Sequence, residues 1–293
     1  MKAKILFLLI LVLGTCSFCS AQSSLKGTLR LADSSFVQVV KTVDGSSNIG
    51  RIIQMDSVNI VLQTSVTAIT IPIAKITEIK ESPVESLIDG EYWFPNPNAT
   101  RLFFGPTAHM LKAGEGYFSD TYLFFPQMVV GLTDNITLGG GMSLFPGGGM
   151  DNQIYYLMPK IGVSLDDRLS LAGGALVINV PWVEDDSYTV GVVYSVFTAG
   201  NRNRNFSAGL GYGFADGEMA DKPLVMLGGE YRLSRRVSFV SENWIFPGME
   251  EPLVSGGFRF FGEGIAVDLA LVNVLGEDML MPGIPFIDFV YNF

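Results

Sequence analysis

Cysteine is nearly absent from this 293-residue chain, and the two present, Cys16 and Cys19, both stand near its start. Downstream of them no thiol is left for a disulfide or a thiolate metal site. Histidine is scarcer still, with His109 alone. Basic residues are outnumbered, 19 Lys and Arg against 29 Asp and Glu, for a net charge of −10. Phosphate backbones are held by Lys and Arg, so this balance argues against nucleic acid as a partner. Long apolar runs are also missing. Beyond residue 13 none approaches the ~20 residues that a membrane-spanning helix needs.

The one apolar run, residues 5–13, follows Lys2 and Lys4 and precedes the small residues of Cys19-Ser20-Ala21. That order predicts a secretory signal over 1–21, too short for a retained membrane anchor. Thr15 before Cys16 does not suit a lipoprotein site. Cleavage there would remove Lys2 and Lys4 and leave 17 basic against 29 acidic residues, a net charge of −12. No cysteine would remain.

What the chain has is glycine, 33 residues of it, and many aromatic residues. A membrane-spanning β-strand needs only ~9–11 residues, with alternate side chains facing lipid. The expected fold is all-β: a small N-terminal β-barrel module, then an antiparallel transmembrane β-barrel of about twelve strands. The module spans 22–81, a Pro-rich linker 82–99 and the barrel 100–293.

Within the first region, strands are expected at 36–43, 49–55, 59–64, 68–73 and 77–79, punctuated by Asp44-Gly45, Asp56-Ser57 and Pro72. Asp44-Gly45, Gly50, Asp56 and Asn59, followed by Ile-Val-Leu-Gln-Thr, resemble the first half of an Sm-like or SH3-like small barrel. Ile71-Pro72-Ile73 and Ile76-Thr77-Glu78-Ile79 stand where the Sm pattern would carry Arg-Gly, so RNA binding does not follow from the resemblance. An interaction module is the reading it leaves. In the linker, Tyr92-Trp93-Phe94 are candidates either for the membrane interface or for packing on the small module.

The barrel region alternates about ten strand-like residues with polar breaks. Strands are expected at 100–109, 116–132, 136–145, 153–165, 169–179, 188–200, 205–215, 223–233, 236–246, 253–262, 265–275 and 284–293. Pro126 implies a bulge in the second of these, or two short strands in its place. Tight breaks such as Thr133-Asp134-Asn135 alternate with longer ones rich in Gly, Pro and acid, such as 146–152. Bacterial outer-membrane barrels pair short periplasmic turns with longer outer loops, and an even strand count puts both termini in the periplasm.

Alternation assigns side chains to faces. Ile287, Phe289, Tyr291 and Phe293 oppose Asp288 and Asn292, and Phe258 and Phe260 oppose Arg259. The expected lumen residues are Lys160, Glu230, Arg232, Glu242, Arg259, Asp268 and Asp288. They would either form an ion-pair network filling the lumen or line a path for a small solute. Phe289, Tyr291 and Phe293 resemble the terminal insertion signal of outer-membrane barrels. The run from Tyr122-Leu-Phe-Phe-Pro through Gly131-Leu-Thr-Asp-Asn to Gly139-Gly-Gly-Met-Ser-Leu-Phe is similar to outer-membrane proteins of the Bacteroidota, a resemblance that brings no activity with it.

Catalytic signals are thin. His109 is followed by Met110 and Leu111 rather than a serine two residues on, and no Gly-x-Ser-x-Gly elbow exists. Glu184-Asp185-Asp186, Glu250-Glu251 and Glu277-Asp278 lack EF-hand spacing. No metal site and no cofactor is expected. The sequence therefore predicts a non-enzymatic outer-membrane barrel for passive small-solute passage or a structural and docking role. A membrane-embedded lipid-modifying enzyme using His109 is the alternative, and a secreted soluble β-protein the third. Expected partners are outer-membrane lipid, the barrel-assembly machinery during insertion, and a periplasmic protein docking on 22–81.

Overall fold

The computed structural model describes residues 25–293 except 32, 89–90, 148, 184–185 and 277–282. The expected signal, 1–21, lies outside the described residues, as do Glu184-Asp185 and Glu277-Asp278. Two compact units divide the chain, Met1–Trp93 and Phe94–Phe293.

The first unit is a five-stranded antiparallel sheet. Strand β1 (Phe36–Thr42) turns at Asp44-Gly45, where Gly45 takes φ +81°, into β2 (Ser47–Met55). Asp56 closes the next turn by accepting the N–H groups of Val58 and Asn59, each at 2.7 Å, and β3 (Asn59–Gln63) follows. Then come β4 (Ala68–Pro72) and, after a single 3₁₀ turn, β5 (Ile76–Pro83). The order is β4-β3-β2-β1-β5. Alternate residues Ile60, Leu62, Ile52, Ile71 and Ile79 are buried together, the period-2 burial that fixes register in a half-buried sheet.

From 82 on, the chain differs from the expected linker. Strand β5 runs on to Pro83, and Leu87–Ile88 pairs with Glu91–Tyr92. Tyr92 is buried with its hydroxyl 3.0 Å from that of Ser82, so it is no interfacial anchor. The second unit already begins at Phe94.

That unit is a closed antiparallel β-barrel. Its strands are β6 (Gly116–Thr121), β7 (Phe125–Thr133), β8 (Ile136–Met142), β9 (Tyr155–Ser164), β10 (Leu169–Val183) and β11 (Asp186–Asn201). They continue as β12 (Arg204–Ala215), β13 (Leu224–Ser234), β14 (Val237–Ile245), β15 (Leu253–Phe261), β16 (Ile265–Val274) and β17 (Ile284–Asn292). Each pairs with its sequence neighbour, and β17 pairs with β6 from Asn292↔Tyr117 to Asp288↔Thr121 to close the ring. Closure leaves no edge with unpaired N–H and C=O groups, which is what a hydrocarbon surround demands.

One expected strand is corrected and another is divided. Residues 100–109 belong to no barrel strand; they lie inside the ring. Residues 116–132 form two strands, the second of the two readings that Pro126 left open, parted by a three-residue turn of Tyr122 (φ +58°), Leu123 (φ +63°) and Phe124. The loss and the division cancel in the count, so twelve strands form the ring, and apart from the short turn at 122–124 the alternation of tight turns and longer loops keeps its phase. Outward side chains are large and apolar over most strands: Phe206, Tyr231, Leu233, Phe239, Phe258, Phe260, Leu269 and Phe289 are all exposed. Neighbouring inward side chains are small, apolar or ionised.

Candidate functional site

The lumen of the barrel is where charge and polar chemistry collect. Residues 94–111 enter it as a hairpin. Thr100 and Thr107 are joined by the Thr107 N–H to Thr100 carbonyl bond, Arg101 pairs with Pro106, and Leu102 N–H meets Gly105 carbonyl at 2.8 Å. Phe103 and Phe104 form the tip. Both arms reach the tight-turn end of the barrel. Phe94 carbonyl accepts from Arg232 there, and Met110 carbonyl accepts from Arg202 at 2.7 Å.

The wall grips this hairpin mostly by its main chain. Arg259 donates to the carbonyls of Asn98 and Leu102, both at 2.7 Å, and to that of Arg101 at 3.4 Å. Lys160 donates to the carbonyls of Thr100, Thr107 and His109 at 3.0–3.3 Å. Glu242 Oε2 accepts three successive N–H groups at the tip, from Phe103, Phe104 and Gly105, at 2.8–3.0 Å. Its Oε1 accepts Trp244 Nε1 at 2.6 Å. Ala108 N–H is received by Thr198 Oγ1.

Charges are paired as well as hydrogen-bonded. Arg259 lies between Asp268, at 2.7 and 2.8 Å, and Glu230, at 2.8 Å. Glu230 also accepts from Asn96, and Asp268 from Asn98. Asp288 takes Arg101 on one oxygen and the Thr121 hydroxyl on the other. Arg232 sits over the rings of Phe94 and Phe261, at 5.1 and 4.8 Å. The wall contributes three cations (Lys160, Arg232, Arg259) and four carboxylates (Glu230, Glu242, Asp268, Asp288), all buried. Arg101 of the hairpin supplies the fourth cation. Such neutrality is what ions held away from bulk water require.

All seven luminal residues expected from alternation point into the lumen, and they converge on a partner that alternation did not reveal, the hairpin itself. Asn96, Asn98, Arg101 and Thr198 join them. Around the tip, Leu102, Phe103 and Ala108 pack with Ala172, Val196, Met226, Val240 and Phe286. Room for Leu102 comes from Gly228, where a Cβ would stand 2.5 Å from Leu102 Cδ1. Phe94 is buried in this unit rather than placed at a membrane interface.

His109 lies at the returning arm of the hairpin. Its Nε2 has no hydrogen-bond partner, and its charged neighbours are the cations Arg202 and Lys160. Among the described residues no hydrogen bond from a serine or a carboxylate to the ring is present. Phe289, Tyr291 and Phe293 share the outer face, and Phe293 exchanges both main-chain hydrogen bonds with Gly116 at the closing seam. Among the described residues no group of three His, Cys, Asp or Glu could hold a metal ion.

No protein-family model matches the chain, and no curated protein matches it in sequence. Solved structures resembling it include a NanC porin, at 9% identity and TM-score 0.38, covering 61% of this chain and 97% of that one. Another is the Acinetobacter baumannii outer membrane protein Omp33, at 10% identity and TM-score 0.35, covering 61% and 95%. A third is outer membrane phospholipase A from Escherichia coli, at 10% identity and TM-score 0.34, covering 62% and 92%. With TM-scores below one half, nothing about activity passes from these proteins to this chain.

Proposed function

We propose that this chain is an outer-membrane barrel held shut by its own hairpin, and that small solutes pass only when the hairpin withdraws. The observation that carries this is the hairpin's path. It fills the lumen, yet both its arms start and end at the tight-turn rim, so it can leave without threading through the ring. Its polar contacts exchange for water at small net cost once a lumen is wet, and the apolar contacts that withdrawal must break centre on Leu102, Phe103, Phe104 and Ala108. Passive, permanently open passage is set aside because Arg259, Lys160 and Glu242 tie the hairpin across the bore.

The apolar outer belt supports lipid as the surround, and in that setting the tight turns face the periplasm. The small unit then lies on the periplasmic side. Its strand order supports the Sm-like or SH3-like reading, with a role in docking a periplasmic protein. Lipid hydrolysis draws no support from His109, whose charged neighbours among the described residues are the cations Arg202 and Lys160.

Planar-bilayer recording tests the proposal. The intact protein is expected to be silent, and a variant with 96–110 replaced by a short Gly-Ser linker is expected to conduct steadily. A folded hairpin-deleted barrel that stays silent would leave the structural and docking role as the better reading. Steady conduction by the intact protein would overturn the closed state.

A further inference from the structure

We infer that the outer half of the lumen is a binding chamber for an uncharged apolar small molecule. The chamber exists with the hairpin in place, so it does not depend on withdrawal. Inward side chains just fill a barrel of about eight strands, and twelve enclose more room than that. The hairpin takes up the half towards the tight turns and ends at Phe103 and Phe104. Burial shows where the filling stops. Along β10 and β11, Ala172 and Val196 point inward and are buried, while Leu171 and Phe197 point outward and are exposed. Beyond the paired Gly174 and Tyr194 that contrast is lost. The inward side chains Leu176, Ile178, Val190 and Val192 are only half-buried. Ile284 shares the inward face of β17 with Phe286 and Asp288, yet it is 57% exposed. Phe104 is 54% exposed although the hairpin tip lies inside the bore.

The chemistry of the lining selects the ligand. Inward positions from 174 to 180 on β10 and from 188 to 194 on β11 hold no Asp, Glu, Lys, Arg or His. Val272 and Val274 continue the same apolar surface on β16. The luminal ions are engaged with the hairpin or with one another, as Glu242 is with the tip and Asp288 with Arg101. A charged ligand would therefore shed its water here without a counter-ion. A neutral apolar one instead covers Leu, Ile, Val and Phe surface that water now touches, which is the usual driving force in an apolar site. Gly213 keeps the space open. It pairs with Val192 on the inward face, and a Cβ there would meet nothing nearer than 3.8 Å.

The test is heavy-atom quenching of Trp244, whose indole is half-buried against the tip and bonded to Glu242. Trp93→Phe with Trp182→Phe leaves it the only indole of the chain's three. The full chain is placed in lipid nanodiscs and titrated with 1-bromonaphthalene, or with 6-bromo-2-naphthalenesulfonate as the charged counterpart. Quenching should saturate with 1-bromonaphthalene and be absent with the sulfonate at the same concentrations. Gly213→Phe, which fills the chamber, should raise the half-saturating concentration roughly tenfold. Leu176→Gln, which makes the wall polar at similar volume, should raise it several-fold. Heat-modifiable gel mobility shows that each variant is folded, and either variant alone suffices for the comparison. Quenching that rises linearly and equally in parent and variants reports probe dissolved in lipid and overturns the chamber. No quenching by 1-bromonaphthalene overturns it too. Saturable quenching by the sulfonate overturns the restriction to uncharged ligands. Because the hairpin stays in place throughout, each of these outcomes leaves the gated reading to the bilayer recordings.

Discussion

Arg259 and Asp268 face each other directly across β15 and β16 and join by two parallel bonds, Nε to Oδ1 at 2.7 Å and an Nη to Oδ2 at 2.8 Å, with both side chains wholly buried. The same guanidinium holds Glu230 and three hairpin carbonyls, so it joins the wall to the hairpin. Removing one partner of a buried pair strands the other charge at a cost of about 3–5 kcal/mol. Arg259→Met should destabilise the barrel by that order, read as a lower urea midpoint in detergent micelles. Arg259→Lys, with a point charge in place of a planar fork, should recover only part of the loss. A midpoint unchanged in Arg259→Met would show that the network carries no stability.

Glu242 allows the hairpin to be loosened without disturbing the ring. Its carboxylate receives three N–H groups of the tip, and none of these is a strand bond of the barrel. Glu242→Ala should raise amide exchange at Phe103, Phe104 and Gly105 by at least tenfold, as expected for losing about 1.4 kcal/mol or more of protection. Exchange in β13 to β16 should change far less. Equal acceleration in those strands would mean that the carboxylate supports the ring rather than the tip.

Sequence alternation made the ring legible because lipid and lumen impose opposite chemistry on successive residues. Asp288 between Ile287 and Phe289 assigns a face without ambiguity. The hairpin was not legible for the same reason: 100–109 reads as a strand because its arms are extended. Two signals could have exposed it. Gly105-Pro106 breaks the segment at its middle, and proline cannot serve in a central strand. The expected lumen also held four carboxylates and three cations, and a buried set of that kind needs another cation, which Arg101 supplies. The turn at Tyr122-Leu123 was hidden because two positive-φ positions normally announce themselves as Asn-Gly, and here neither residue does. What holds it is tertiary: Tyr122 donates its N–H to Ile287 carbonyl and stacks edge-on against Phe286.

In the small unit, Asp56 gives a pH dependence with a definite sign. Hydrogen bonds from the Val58 and Asn59 main chain hold its carboxyl below the ordinary value of 3.8. A group whose folded-state pKa is depressed stabilises the fold above its unfolded pKa and loses that contribution as pH falls through the folded value. Asp56→Ala should therefore lower amide protection in β2 and β3 at pH 7. The difference from wild type should shrink as pH drops below about 4. A difference constant from pH 7 to pH 2.5, after correction for intrinsic exchange, would show that the ionised carboxylate is not the source.

The Tyr122-Leu123 turn invites the opposite kind of substitution, one that stabilises. A non-glycine residue in the left-handed region costs roughly 1–2 kcal/mol, and glycine takes the same angles without that penalty. Tyr122 repays the cost through Phe286, but Leu123 is 64% exposed. Leu123→Gly should raise the stability of the barrel by about 0.5–1 kcal/mol, less than the full strain because glycine also gains freedom when unfolded. Urea unfolding in micelles gives the measurement, with Tyr122→Gly as the contrast. Tyr122→Gly should destabilise, because the lost ring contact outweighs the relieved angle. If Leu123→Gly also destabilises, Leu123 is held by lipid contact at the rim, and the strain is balanced outside the protein rather than by Tyr122.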